Sequence, residues 1–184
     1  MDSRMTTSRM PTVDAKPSVA QIMGHAIHPL LVAFPITFYT IATASFITYA
    51  VNANVFWFRV AFYSSMAGVI AAVVAAIPGM ADYFGSIPTR DPAKKVGRTH
   101  IAFNTLALFF YASIVALMWS SVTPDAIYTE SVMAPMWLSI AGLVSTLAAG
   151  YFGGELVQKH HVGIEPGFSR SGVARPRPAS YPST

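Results

Sequence analysis

The reading turns on Gly24-His25-Ala26-Ile27-His28-Pro29-Leu30-Leu31-Val32-Ala33-Phe34-Pro35, in which two histidines stand immediately before a long apolar run. Proline is tolerated in the first turn of a helix, because the N–H it lacks has no partner there anyway. Pro29 therefore predicts a helix start that sets His28 at its mouth, with His25 one turn further out. Pro35, deeper in the run, predicts a kink and a freed backbone carbonyl.

From Pro29 to Val51 the chain carries no charge, and three similar stretches follow: Trp57 to Pro78, His100 to Ser121 and Met133 to Val157. About 20 apolar residues suffice for a helix to cross a bilayer, and each stretch meets that length. A soluble helix of this length would show a polar stripe, and none does. The composition agrees: 53% of residues are hydrophobic and 11% charged, well under the charged share of a soluble domain. The expected fold is an all-α integral membrane four-helix bundle of up-down-up-down topology, because the connections at 52–56 and 122–132 are too short for anything but antiparallel neighbours. The membrane domain is set at 19–162. It opens with an interfacial segment from Val19 to Ile27, is preceded by a polar tail over 1–18, and is followed by a Gly-, Pro-, Ser- and Arg-rich tail over 163–184. Both tails read as disordered. No cleavable signal peptide is expected, since the start is polar and the first apolar run is long enough to span.

Charge fixes the expected orientation. Arg4, Arg9, Lys16, Arg90, Lys94, Lys95, Arg98, Lys159, Arg170, Arg175 and Arg177 fall on one side of a four-span chain, and only Arg59 on the other. The positive-inside rule then puts both termini in the cytoplasm. These basic residues flank spans rather than forming a nucleic-acid patch.

On this topology all five histidines collect at the cytoplasmic end: His25 and His28 enter span one, His100 enters span three, and His160 and His161 leave span four. Asp82 and Glu155 lie at the same end. With no cysteine in the chain, disulfides, thiolate metal sites and cysteine nucleophiles are excluded. Histidine and carboxylate are then the remaining transition-metal ligands, and paired imidazoles from facing helices also serve as axial ligands of a b-type haem. Two ligand sets follow: His28, His100 and Asn104 for a haem, and His25, His28, Asp82 and His100 for a metal ion. Asn104 shares a helical face with His100 and is placed to orient it. The bland reading stands beside these. Imidazoles at a membrane interface are often only solvated, His160 and His161 adjoin Lys159, and Asp82 is placed to pair with Arg98. No zinc-hydrolase spacing or Gly-rich phosphate loop occurs, so no enzyme class is assigned.

Small residues recur at helical spacing in two spans: Ser64, Gly68, Ala72 and Ala76 in the second, and Gly142, Thr146, Gly150 and Gly154 in the fourth. Such stripes let membrane helices approach closely, which makes Gly150 an expected packing residue inside the bundle. No internal repeat stands out, although spans one and three both open on histidine.

The residues resemble a known family. His25-Ala-Ile-His28-Pro29 through Phe34-Pro35-Ile36, then Gly79-Met-Ala-Asp82, His100-Ile-Ala-Phe-Asn104, and Gly153-Gly-Glu155-Leu-Val157 with His161-Val-Gly163, look like the DUF2231 family of bacterial four-span membrane proteins. The resemblance covers about residues 22 to 164. It departs at Ala33, where many members carry a histidine or polar residue. Members joined to Rieske or c-type cytochrome domains imply, by that association, membrane electron transfer. The expected function is thus a redox-associated subunit of a bacterial inner membrane, holding haem b or a transition-metal ion, with lipid and other membrane subunits as partners and no nucleic acid. The alternative is a non-catalytic structural or assembly subunit with no cofactor.

Overall fold

The computed structural model describes residues 15–122 and 131–164; the rest of both expected tails lies outside the described residues. A two-stranded hairpin, β1 (Gln21–Ile22) with β2 (His25–Ala26), leads into a short helix α1 (Ile27–Leu31) and then α2 (Ala33–Asn52). They are followed by α3 (Val55–Gly85), α4 (Ala93–Met118), a 3-10 turn over Trp119–Ser121, and α5 (Met133–Gln158). Four segments, Ile27–Asn52, Val55–Gly85, Ala93–Ser121 and Met133–Gln158, are long and apolar enough to cross a membrane. The outer surface suits lipid: Leu30, Ile70, Ile77, Phe109, Leu147 and Tyr151 are all exposed.

The helix ends follow local chemistry. Pro35 has no N–H to give to Leu31, so the first span breaks at Val32 into α1 and α2, and the bond from Ile36 N to Val32 O is stretched to 3.4 Å. α2 ends on Ala53 with φ 52°, and α3 starts where Asn54 Oδ1 accepts from Phe56 N at 2.9 Å. Two expected boundaries shift. α3 runs through Pro78 to Gly85 rather than stopping at the proline. α4 begins at Ala93, not His100, because Asp91 Oδ1 caps the Ala93 N–H at 2.8 Å and Pro92 presets the first turn. His100 therefore sits about two turns inside its helix.

The packing is a repeat. α2 lies against α3 and α5, and α4 against α5 and α3, so α2 and α4 face each other diagonally. Their contacts duplicate. A Cβ on Gly68 of α3 would stand 2.5 Å from the Tyr39 ring and 3.3 Å from Phe38 Cβ. A Cβ on Gly142 of α5 would stand 2.6 Å from the Tyr111 ring and 3.3 Å from Phe110 Cβ. His28 precedes Tyr39 by the interval at which His100 precedes Tyr111, and Gly79 follows Gly68 by the interval at which Gly153 follows Gly142. The chain is two like helical hairpins, α2–α3 and α4–α5, about an approximate two-fold axis along the bundle. This corrects the expectation that no repeat exists.

At the centre, Tyr39 and Tyr111 lie within a core of Ala42, Phe46, Phe62 and Ile114. The buried hydroxyls of Ser65, Ser145 and Thr146 donate back to the carbonyls of Ala61, Ala141 and Gly142 one turn before them, which satisfies them within their own helices. Thr43 Oγ1 lies 3.0 Å from Tyr39 O on its own helix and also reaches Tyr111 Oη and Ser139 O on two others. The small-residue stripe of α5 is divided. Gly142 packs on Tyr111, whereas Gly150 and Gly154 have nothing within 4 Å of a Cβ. The expectation that Gly150 packs inside the bundle is corrected: the bundle uses Gly142 and Gly153, and Gly150 opens outward.

Candidate functional site at the histidine end

His28 and His100 meet across the approximate two-fold, with ring centroids 6.1 Å apart and planes at 88°. Each ring is held the same way. His28 Nδ1 is 2.8 Å from Ala75 O on α3, and His100 Nδ1 is 2.8 Å from Ala149 O on α5. One turn beyond each of these carbonyls stands a glycine. A Cβ at Gly79 would lie 2.7 Å from His28 Cε1, and one at Gly153 would lie 3.0 Å from His100 Cε1. The missing Cβ lets each imidazole lie against the neighbouring helix and reach its carbonyl.

The hydrogen bonds decide the tautomers. A carbonyl oxygen only accepts, so each Nδ1 carries the proton and each neutral ring keeps its lone pair on Nε2. Donation from the second ring nitrogen to a backbone carbonyl is the usual support of a metal-ligating imidazole, because it fixes the ring and raises the basicity of the other nitrogen. Asn104 follows His100 by one turn. Its Nδ2 donates to His100 O at 2.9 Å and to His100 Nε2 at 3.1 Å.

The other expected ligands have other work. His25 is exposed, and its Nδ1 meets Met23 O at 3.0 Å. Asp82 is met not by Arg98 but by the N-terminal segment: its Oδ1 accepts from Ser18 Oγ at 2.7 Å, Val19 N at 2.9 Å and Ala20 N at 3.2 Å. Among the described residues no three histidine, aspartate or glutamate side chains come together as a group that could hold a metal ion. The structure thus brings together His28, His100 and Asn104, and leaves His25 and Asp82 outside that group.

The N-terminal segment is a strap across this end. Lys16 forms a parallel bridge with Val162: Lys16 N donates to His161 O at 3.0 Å and Gly163 N to Lys16 O at 2.7 Å. Lys16 Nζ pairs with Asp91 Oδ2 at 3.2 Å and donates to His160 O at 3.3 Å. Val19 packs where a Cβ on Gly85 would stand, 2.9 Å away. The strap so joins α3, the α3–α4 loop and the end of α5. His160 and His161 contribute backbone carbonyls to it, and Glu155 pairs with the exposed Lys159 at 2.9 Å. The tail boundary expected at residue 18 falls inside this strap, since Lys16 and Ser18 are both held. The Asp91 carboxyl sits below its ordinary range, first through the Ala93 N–H it accepts and then through Lys16.

Sequence reasoning missed the strap, the two carbonyls, and the place of Gly79 and Gly153 beside the imidazoles. The interval from Gly68 to Gly79 equals that from Gly142 to Gly153, and was the available signal. Two shallow apolar clefts open on the outer face, one lined by Phe38, Arg59 and Tyr63 and one by Leu31, Phe34, Ile70 and Val74; neither includes an imidazole.

No curated protein and no solved structure matches the chain. A family model does match, over residues 24–166, from the hairpin turn before β2 to just past the end of the strap's bridge. On that match the chain belongs to the family described as predicted membrane protein, DUF2231.

Proposed function

We propose that this membrane protein is a redox-associated subunit that holds a b-type haem iron between His28 and His100, at the cytoplasmic end of the bundle. The observation that carries the reading is the imidazole pair itself, two rings at 6.1 Å with both Nδ1 atoms committed to carbonyls. Their spacing and their free Nε2 lone pairs would let the two rings hold one metal centre between them. A bare ion needs further protein ligands, and no third histidine or acid joins the pair among the described residues. A haem would need only His28 and His100 from the protein. When bound, the haem would supply one-electron chemistry. The chain's part is to orient both rings, fix their tautomers through Ala75 O and Ala149 O, and cover that end with the strap.

The orientation rests on the eleven flanking basic residues, and a reporter fused after Thr184 is expected to read cytoplasm. The test of the function is a visible absorption spectrum of protein purified in mild detergent. Sharp low-spin reduced bands are expected, lost in His28→Ala and His100→Ala and retained in Asp82→Asn. Stoichiometric metal without haem bands would support an ion instead.

A second reading, a non-catalytic assembly subunit of a larger membrane complex, is favoured by one observation. Gly150 and Gly154 face outward with open space above them, as a surface for another helix would. Colourless, metal-free protein that co-purifies with other membrane subunits would select it.

A further inference from the structure

The two halves of the site are not equivalent. The position one turn after the histidine is Asn104 in the second hairpin and Val32 in the first. The Asn104 amide orientation is fixed, because the atom facing His100 O must be a donor. The same Nδ2 also donates to His100 Nε2, the lone pair that an iron would use. Val32 has no such group to offer His28.

We propose that Asn104 is a latch on His100. It holds the His100 Nε2 lone pair by a hydrogen bond, so that His100 would be free to ligate only once the Asn104 amide turns away, whereas His28 carries no such hold. Asn104 is a positioning residue, acting through His100. The inference rests on the haem reading above and deepens it: it makes His28 the readier ligand of the two. The latch also explains why an exposed polar amide sits at the histidine end of an apolar span, where a residue such as Val32 serves the other half.

The test uses the full-length protein in detergent, freed of bound haem, titrated with ferric protoporphyrin IX and followed by the Soret band and the low-spin visible bands. Asn104→Val makes the second half like the first and removes the competing hydrogen bond. One net hydrogen bond corresponds to roughly two- to ten-fold tighter binding, with a larger low-spin fraction. Asn104→Asp puts an acceptor beside Nε2, favours the tautomer protonated there, and is expected to weaken binding and leave a high-spin, singly ligated spectrum. A merely structural asparagine would not move the two variants in opposite directions. Melting curves of the unloaded proteins check that both variants fold. If both variants bind like the parent or both more weakly, while His100→Ala abolishes the low-spin bands, the latch is overturned and the haem site stands. If the parent itself takes up no haem, the site reading falls and the latch with it.

Discussion

Tyr39 and Tyr111 stack face to face across the centre of the bundle, with ring centroids 3.7 Å apart and planes 2° from parallel. They occupy equivalent places in the two hairpins, yet only one hydroxyl is satisfied. Tyr111 Oη lies 3.0 Å from both Tyr39 O and Ser139 O, and 2.8 Å from Thr43 Oγ1. Tyr39 Oη is buried with no hydrogen-bond partner among the described residues. Val115 stands in the second half where Thr43 stands in the first, and a valine has nothing to offer Tyr39.

That inequality predicts opposite outcomes for the same chemical change. Tyr111→Phe is expected to destabilise the bundle by about 1 kcal/mol, the net worth of a buried hydrogen bond. Tyr39→Phe removes an unpaired buried hydroxyl and is expected to leave stability unchanged or raise it. Thermal or denaturant unfolding in one detergent compares the two; equal losses would contradict the assignment.

The glycines separate in the same way. Gly68→Ala and Gly142→Ala each push a Cβ into a tyrosine ring that the opposite tyrosine holds in place, and overpacking of this kind costs about 1–3 kcal/mol. Gly150→Ala meets open space and is expected to fall within about 0.5 kcal/mol of the parent, as outward substitutions do. Unfolding of the three variants side by side checks the order.

Removing the Asp82 carboxylate unfastens the strap without touching the imidazoles. Asp82→Ala leaves the Ser18 hydroxyl and the Val19 and Ala20 amides without their acceptor. Hydrogen exchange at these two amides is expected to rise at least about tenfold, the equivalent of roughly 1.4 kcal/mol of lost protection. The low-spin spectrum is expected to persist. Loss of the spectrum together with the strap would make Asp82 part of the site.

Asp91 gives the strap a pH dependence with a definite sign. Its folded carboxyl titrates below the unfolded value, through the Ala93 N–H first and Lys16 second. The stabilisation is therefore complete above the ordinary carboxylate range and is lost as pH falls through the lowered folded value. Exchange at the Gly163 amide, which donates to Lys16 O, should accelerate in acid once corrected for the intrinsic rate, and Asp91→Asn should remove that acid limb.

The spans were legible because a bilayer imposes length and apolarity on every residue of a helix, whatever its neighbours. His28, His100 and Asn104 were legible because polar groups at the ends of apolar spans stand out. The repeat was not. The first and third spans match at one offset and the second and fourth at another, and between the preserved histidines, tyrosines and glycines the partners differ: Leu31 against Phe103, Val32 against Asn104, Pro78 against Phe152. The start of α4 was misplaced because His100 drew attention from Asp91-Pro92, whose capping chemistry sets the boundary. The place of Asp82 in the strap was not legible because its partners, two backbone amides and a serine, carry no charge that a sequence displays.

The measurement closest to the central claim is the low-temperature electron paramagnetic resonance spectrum of the ferric protein, purified in mild detergent. On the proposed reading, imidazoles held with planes at 88° would give a strongly anisotropic low-spin signal, present in the parent and absent from both His28→Ala and His100→Ala. A low-spin signal of the near-parallel type would contradict the observed ring geometry. Absence of any low-spin iron signal, in protein purified together with its membrane neighbours, would contradict the site.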